Sequence, residues 1–498
     1  MSNDQRYSGK IYDVAVIGAG ITGSMTAYKL AKYKLSVIVL EKGSDIASGA
    51  TKANSAIVHA GFDAVPGTLK GRLNADGCRQ IKEISEKLNV HYINCGSLVC
   101  AFGKADEDHL DLLYSRGIAN GVEGMRIIRG DELFELEPRL SRECTSALFA
   151  PTAGIVCPWG LPTAVCEVAA VNGTDFLFSC EAKKVEQRDG YLEINCGDTP
   201  IRARYIVNAS GLGADLLVEN DILPDGEEEP LRLNPRRGEY MLLDSAEGGI
   251  AKHTLFVCPS EKGKGILVSP TAHGNIIVGP NANEVDFRDD SSVTAAGLDE
   301  ISAGARRLIP DINLRASITE FAGVRPTPMT KAKDFVIKAS KQFPTLLHAA
   351  GIDSPGLACG PAVADYIVGK LGEMGLSLVP NPDFIDSRPP SPCFKTMSDE
   401  EKAAAIKENP AFGRIICRCE TITEAEIVDA ITRPVGARDL DGVKRRVRAG
   451  MGRCQGGFCS PRVTAILSRL LHKDMYDITK KGPGSEVLSR PETGNEEA

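Results

Sequence analysis

The period of the apolar positions changes along the chain, and each change marks an element. The first ten residues (MSNDQRYSGK) are polar, and the first apolar run starts at Ile11. Its centre, Val14, Val16 and Ile17, reads as a short buried strand. Ile21, Met25 and Tyr28 then recur at i, i+4 and i+7, which is one face of a helix. Ser36 to Leu40 is a second β-rich run, ended by Glu41. Together these make one βαβ unit in about 30 residues. Farther on, 80–150 and about 230–330 alternate strand-like and helical patterns. Within them, Arg232–Leu243 and Gly265–Val278 read as strands of a second sheet. The five prolines of Val379–Met397 predict an extended linker. After it, Ser398 with Glu401 and Thr423 with Glu426 are capping-box pairs that open helices, and Asp441–Arg448 reads as another helix. Residues 482–498 are polar and aperiodic, which predicts a disordered tail.

Length and charge narrow this picture. A chain of 498 residues exceeds one compact core, so two to four units are expected. The formal charge of −8 argues against nucleic acid as a partner, because its binders carry a basic surplus. No stretch reaches the roughly 18 apolar residues of a membrane span, and no secretory signal precedes the first strand. The chain is therefore expected in the cytoplasm, reaching a membrane only through a partner. Of the 15 cysteines, four are grouped and eleven are scattered singly between Cys78 and Cys393. The scattered ones are expected to be buried or half-buried thiols of a reducing compartment.

Candidate chemistry begins at the turn between the first strand and the first helix, Gly18-Ala19-Gly20-Ile21-Thr22-Gly23. Gly18 permits a tight exit from the strand, Gly20 lets backbone approach a pyrophosphate, and Gly23 lets the helix pack against the strand. The helix start offers free N–H groups and a positive dipole end to phosphates. Glu41 can accept hydrogen bonds from an adenosine ribose. The unit marks one dinucleotide site without separating FAD from NAD. Near the other end, Cys417-Arg-Cys419 is followed after 34 residues by Cys454-Gln-Gly-Gly-Phe-Cys459. Four thiolates are what a [2Fe–2S] cluster requires. Zinc is the rival, although its sites more often use a C-x₂₋₄-C pair at each end. Gly450, Gly452, Gly456 and Gly457 free backbone N–H groups to reach the sulfurs. The basic run Lys444, Arg445, Arg446 and Arg448 reads as a solvated helix face, with offsetting of cluster charge or docking of an acidic partner as the other roles.

Beyond Glu41-Lys42-Gly43, residues 48–61 (SGATKANSAIVHAG) resemble a flavin-contacting loop of the D-amino-acid-oxidase-like superfamily, which includes glycerol-3-phosphate and L-2-hydroxyglutarate dehydrogenases. The stretch Pro66–Lys70 is most similar to the hydroxyglutarate branch. Residues 205–215 (YIVNASGLGAD) and 346–369 (LLHAAGIDSPGLACGPAVADYIVG) resemble two further flavin-site segments. The resemblance implies FAD. As contacts it implies Lys42, Thr51, Ser55, Ile57, Val185, Gly211, Asp215, Gly351, Pro355, Gly356 and Leu357. It also predicts a helix from near Pro361, its positive end at the pyrimidine edge of the flavin. Residues 321–326 (FAGVRP) resemble the segment that, in glycerol-3-phosphate dehydrogenases, places an arginine near flavin and substrate. That role falls to Arg325, whose guanidinium fork suits phosphate or carboxylate. His59 is the expected base, with His348 and His253 as alternates. Residues 413–470 resemble the bacterioferritin-associated-ferredoxin-like [2Fe–2S] domain.

The resemblance thus implies an α/β fold. A Rossmann-type FAD-binding domain (about 11–80, 151–225 and 330–378) carries an inserted α+β substrate domain (about 81–150 and 226–329). A linker (379–412) and a small helical cluster domain (413–470) follow. This combination resembles the catalytic subunit of anaerobic glycerol-3-phosphate dehydrogenases. It implies oxidation of sn-glycerol 3-phosphate, with hydride to flavin and electrons leaving through the cluster to a partner or quinone. The His59–Lys70 region leans towards L-2-hydroxyglutarate dehydrogenases, so a 2-hydroxy acid stays open as substrate. So does a role as the electron-transfer subunit of a larger complex.

Overall fold

An apolar run without alternation suits a strand covered on both faces, and Ile11–Ile17 is such a strand. In this computed structural model, which describes residue 7 and residues 9–197, 200–223, 230–259 and 265–490, it lies at the centre of a sheet. It runs parallel to Val37–Glu41 on one side and to Ile201–Asn208 on the other. Outwards follow Asp175–Phe178 beyond Val37–Glu41, and Tyr191–Asn195 and Lys184–Arg188 beyond Ile201–Asn208. Leu346–Ala350 pairs with the C-terminal half of Ile201–Asn208 and brings Val336–Ala339 with it. Helix Ile21–Leu30 is buried along its whole length and packs against helices Gly160–Val171 and Gly356–Glu373. The expected helix start near Pro361 is corrected: the helix opens at Gly356 and Pro361 lies inside it. Packing against Ile21–Leu30 and Leu69–Lys87 outweighs the roughly 3 kcal/mol that an interior proline costs.

Among the described residues the second sheet has nine strands. Leu233–Leu243 is antiparallel to Ser317–Pro328 along its length, which puts Arg236 opposite Arg325. The single strand expected over Gly265–Val278 is corrected to a hairpin of Leu267–Pro270 and Ile276–Gly279. Its turn is held by Thr271 N–H donating to the Asn275 carbonyl. Ser97–Ala101, Arg126–Arg129 and Ser146–Ala150 complete the far side with Thr254–Val257.

The proline-rich segment is extended, as expected, and it is also strapped down. Lys34 N–H donates to the Val379 carbonyl, Asp386 accepts from Tyr28 and Lys87, and Arg388 pairs with Glu167 at 2.7 Å. Both capping boxes form, opening helices Asp399–Glu408 and Glu424–Thr432. Helices Leu440–Val447 and Ser460–Leu471 finish the last unit. Residues 482–490 fold back, Gly482 N–H donating to Thr479 Oγ1 and Arg490 pairing with Asp477. Residues 491–498 of the expected tail lie outside the described residues. None of the 15 cysteines is in a disulfide among the described residues. Among the described residues no helix is long and apolar enough to cross a membrane.

Candidate active site

The turn after the first strand is built as its residue types dictate. A Cβ at Gly23 would run into the Gly18 carbonyl, so only glycine lets the helix sit this close. Glu41, at the end of the second strand, is buried. It accepts from Ala19 N–H and Gly43 N–H, each at 2.7 Å, while burial pushes its carboxyl up. The acid expected at a ribose therefore also braces the turn. Ile21 N–H donates to Thr51 Oγ1 at 2.9 Å. The helix that starts there has no acid in its first turn and no side-chain cap at Gly20, which leaves its positive end for an anion. Lys42 is exposed beside it. Val185 sits on the edge strand, in one apolar cluster with Ile17 and Leu40. Gly211 takes φ +62° in the turn after Ile201–Asn208. Asp215, expected to touch the cofactor, is bound elsewhere: Arg288 and Leu233 N–H occupy its carboxylate. It joins the two sheets and does not line the cavity.

A cavity of about 630 Å³ opens between the sheets. Thr51, Ser55, Ile57 and His59 line one wall, and Pro355, Gly356 and Leu357 another. Arg236, Asn281 and Arg325 face in from the second sheet. The second sheet touches the 48–61 loop at Gly323, where a Cβ would collide with the Ala53 carbonyl. Gly351, at φ +63°, abuts Pro328 in the same way. His59 is the only histidine among the described residues lining the cavity, and its ring lies 5.8 Å from that of Phe256. The alternates are structural: His348 is held between Asn208 and Asp221, and His253 binds Glu137 at 2.7 Å. Lys70 pairs with Asp353 of the 351–357 loop at 2.7 Å.

Arg236 was not singled out from the sequence. The signal was two adjacent arginines in a strand, which must point to opposite faces. Arg237 pairs with Glu239 and Asp290, while Arg236 lines the cavity with Arg325. Burial, and then the charge of Arg325, lower the Arg236 pKa. Two buried polar atoms beside this pair, Asn281 Nδ2 and Thr327 Oγ1, have no protein partner. The two guanidiniums make this end of the cavity positively charged.

The four late cysteines come together as two pairs. Cys419 Sγ is 3.7 Å from Cys454 Sγ, and Cys417 and Cys459 lie in one buried cluster. The Cys419–Cys454 spacing is the edge of a tetrahedral FeS₄ unit, and four thiolates in two pairs are what two irons would require. The Cys459 thiol beside it pulls Cys417 down to about 6, aided by the backbone N–H groups of Gly450 and Glu420. Those of Phe458 and Gly456 lower Cys454. The expected glycine N–H donors are thus present at Gly450 and Gly456.

The reading of the basic run as a solvated face is corrected. Arg445 and Arg446 turn inward onto Asp45, in the loop after Glu41. The adjoining Arg448 binds Glu420 and Asn275, and Arg453 pairs with Asp244. The helix is short and two of its basic residues find an acid on another domain, a contact that no local pattern encodes.

Comparison with known proteins agrees with this geometry. The pattern of the FAD dependent oxidoreductase family matches residues 13–369. The chain belongs to that family. A second pattern, the BFD-like [2Fe-2S] binding domain, matches residues 415–469 of this oxidoreductase. Its cofactors are FAD and a [2Fe–2S] cluster, which the glycine turn and the paired sulfurs fit. The oxidoreductase is 43% identical over 482 residues to the glycerol 3-phosphate dehydrogenase of Caloramator mitchellensis, a match covering 97% of this chain and 99% of that protein. The L-2-hydroxyglutarate dehydrogenase of Escherichia coli (strain K12) is 28% identical over 324 residues, 62% of this chain and 74% of that one. Among solved structures, the dithionite-reduced, FAD-bound L-alpha-glycerophosphate oxidase of Mycoplasma pneumoniae matches with a TM-score of 0.70 and 26% identity, over 76% of this chain and 99% of that one.

Proposed function

We propose that this oxidoreductase converts sn-glycerol 3-phosphate to dihydroxyacetone phosphate and passes the electrons to a partner subunit or quinone. The observation that carries this reading is the Arg236–Arg325 pair, on adjacent strands, lining the cavity that also holds His59. Two guanidinium forks match a phosphate dianion through bidentate, charge-assisted bonds. Asn281 and Thr327 line the same cavity. The reaction takes a hydride from C2 and a proton from its hydroxyl; bound FAD supplies the hydride acceptor and the cluster a one-electron exit. His59 takes the hydroxyl proton. Gly18, Ala19, Gly20, Thr22, Gly23 and Glu41 would hold the nucleotide half of FAD, and Thr51, Ser55, Ile57, Gly351, Pro355, Gly356 and Leu357 would hold its ring. Cys417, Cys419, Cys454 and Cys459 hold the cluster. Cys419 and Phe458 are exposed, so an acceptor meets the cluster there.

The near-full-length similarity to a glycerol 3-phosphate dehydrogenase supports the same substrate. L-2-Hydroxyglutarate is the second reading, because two carboxylates also suit two arginines. Anaerobic titration of the purified holoprotein separates them. sn-Glycerol 3-phosphate should bleach the flavin absorbance. Bleaching by L-2-hydroxyglutarate alone would transfer the assignment, and bleaching by neither would end both.

A further inference from the structure

Asp45 is an acid at the heart of a domain interface. It stands in the loop that joins Glu41 to the flavin-contacting segment, and its side chain is only 2% exposed. Burying a carboxylate is costly unless it is paired and hydrogen-bonded, and Asp45 is fully so. Arg446 grips it in a two-pronged fork at 2.6 and 2.7 Å, and Arg445 adds a bond at 2.8 Å. Next to it, Ser44 Oγ donates to Asp439, the residue that caps helix Leu440–Val447. The helix comes close enough that a Cβ at Gly442 would stand 2.9 Å from Asp45 Oδ2.

Each side of this contact leads to a redox site. On one side, Ala47 N–H donates to the Ala19 carbonyl of the glycine turn, and Glu41 of the same loop accepts from Ala19 N–H. On the other, the helix ends at Arg448 in a left-handed conformation, and Val443 and Ala449 pack in one buried cluster with Cys417 and Cys459. The loop and the helix therefore form one path from the nucleotide turn towards the sulfur ligands, with the carboxylate–guanidinium fork as its ion-paired joint.

We infer that Asp45 is a positioning residue for the onward electron step, a latch that fixes the sulfur-bearing domain against the nucleotide-binding loop. It touches neither substrate nor sulfur. This rests on the chain carrying electrons from FAD to its own cluster and not on which alcohol supplies them.

The test uses holoprotein whose FAD and iron content match those of the unaltered chain. The flavin is reduced by flash photolysis with a deazaflavin, and also by sn-glycerol 3-phosphate, and cluster reduction is followed by absorbance and EPR. Asp45→Asn should leave flavin bleaching by substrate within about twofold and slow cluster reduction at least 100-fold, because two arginines lose their anion. Asp45→Glu should recover most of the rate, as a generally loosened fold would not. Cluster reduction at the unaltered rate in Asp45→Asn overturns the latch. Failure of glycerol 3-phosphate with success of the flash experiment would count against the substrate alone. Hydrogen exchange on the unaltered holoprotein covers the case in which the variant does not fold: the amides of residues 440–447 should be protected, and should lose protection in Arg446→Gln. Fast exchange in the unaltered protein would also overturn the inference.

Discussion

His59 and the two arginines divide the cavity between proton transfer and anion binding. His59→Gln keeps a polar side chain and removes the base. Its kcat should fall by about 10²–10⁴-fold, the usual worth of a positioned base, with KM changing little. Steady-state rates with an artificial acceptor check this, and a kcat within threefold of the unaltered enzyme would mean that the proton leaves by another route. Arg236→Lys and Arg325→Lys each keep a charge and lose the planar fork. A hydrogen bond to a charged group is worth about 1.5–3 kcal/mol, so KM should rise roughly 10- to 100-fold in either variant. Unchanged KM in both would move the anion site elsewhere.

At the scale of elements, the strand Ser317–Pro328 meets the flavin-contacting loop at Gly323 with no room for a methyl group. Gly323→Ala should push the two apart, costing about 1–3 kcal/mol, as overpacking generally does. Thermal unfolding would show the loss, and gel filtration would show FAD leaving more readily; a variant that melts and retains flavin normally would mean that the contact yields. What could be read in the sequence follows the range of each interaction. The βαβ turn and both capping boxes are each written within a few residues and formed as read, whereas the sulfurs pair across the 34-residue excursion, Cys419 with Cys454. Arg236 was missed because its partner, Arg325, is set by strand register. Helix Gly356–Glu373 was begun too late because a proline looks like a boundary locally, while burial carries the helix through it. Arg445 and Arg446 looked solvated because their anion lies 400 and 401 residues away along the chain.

For the whole molecule, the charge balance at the cluster domain makes stability depend on pH. His91 and His273 stack edge to face with centroids 4.7 Å apart. Burial, and then the charges of Arg448 and Lys395, push His273 down to about 2, and burial and Arg448 lower His91 too. A histidine lowered in the folded state binds its proton more readily when unfolded. Its neutral form therefore supports the fold fully above about pH 6.5, the ordinary histidine value, and that support is lost progressively as pH falls below it. Asp45 has the opposite origin and a lower window. Although burial opposes it, the Arg446 fork holds its carboxyl below the ordinary value, so its contribution persists until pH falls through that depressed value. The melting temperature should be level from pH 8 to 7 and decline from 6.5 to 5, and His273→Gln should flatten the decline. A decline of equal slope in that variant would assign it to other groups.

The sulfur-bearing unit also holds two bodies at once: Asp45 belongs to the nucleotide-binding part, whereas Asn275 and Asp244 belong to the second sheet. Swinging those bodies apart would tear at least one of these grips. The wall of the cavity built by the second sheet and the wall built by the nucleotide-binding part are therefore tied together from outside, at a unit that lines neither.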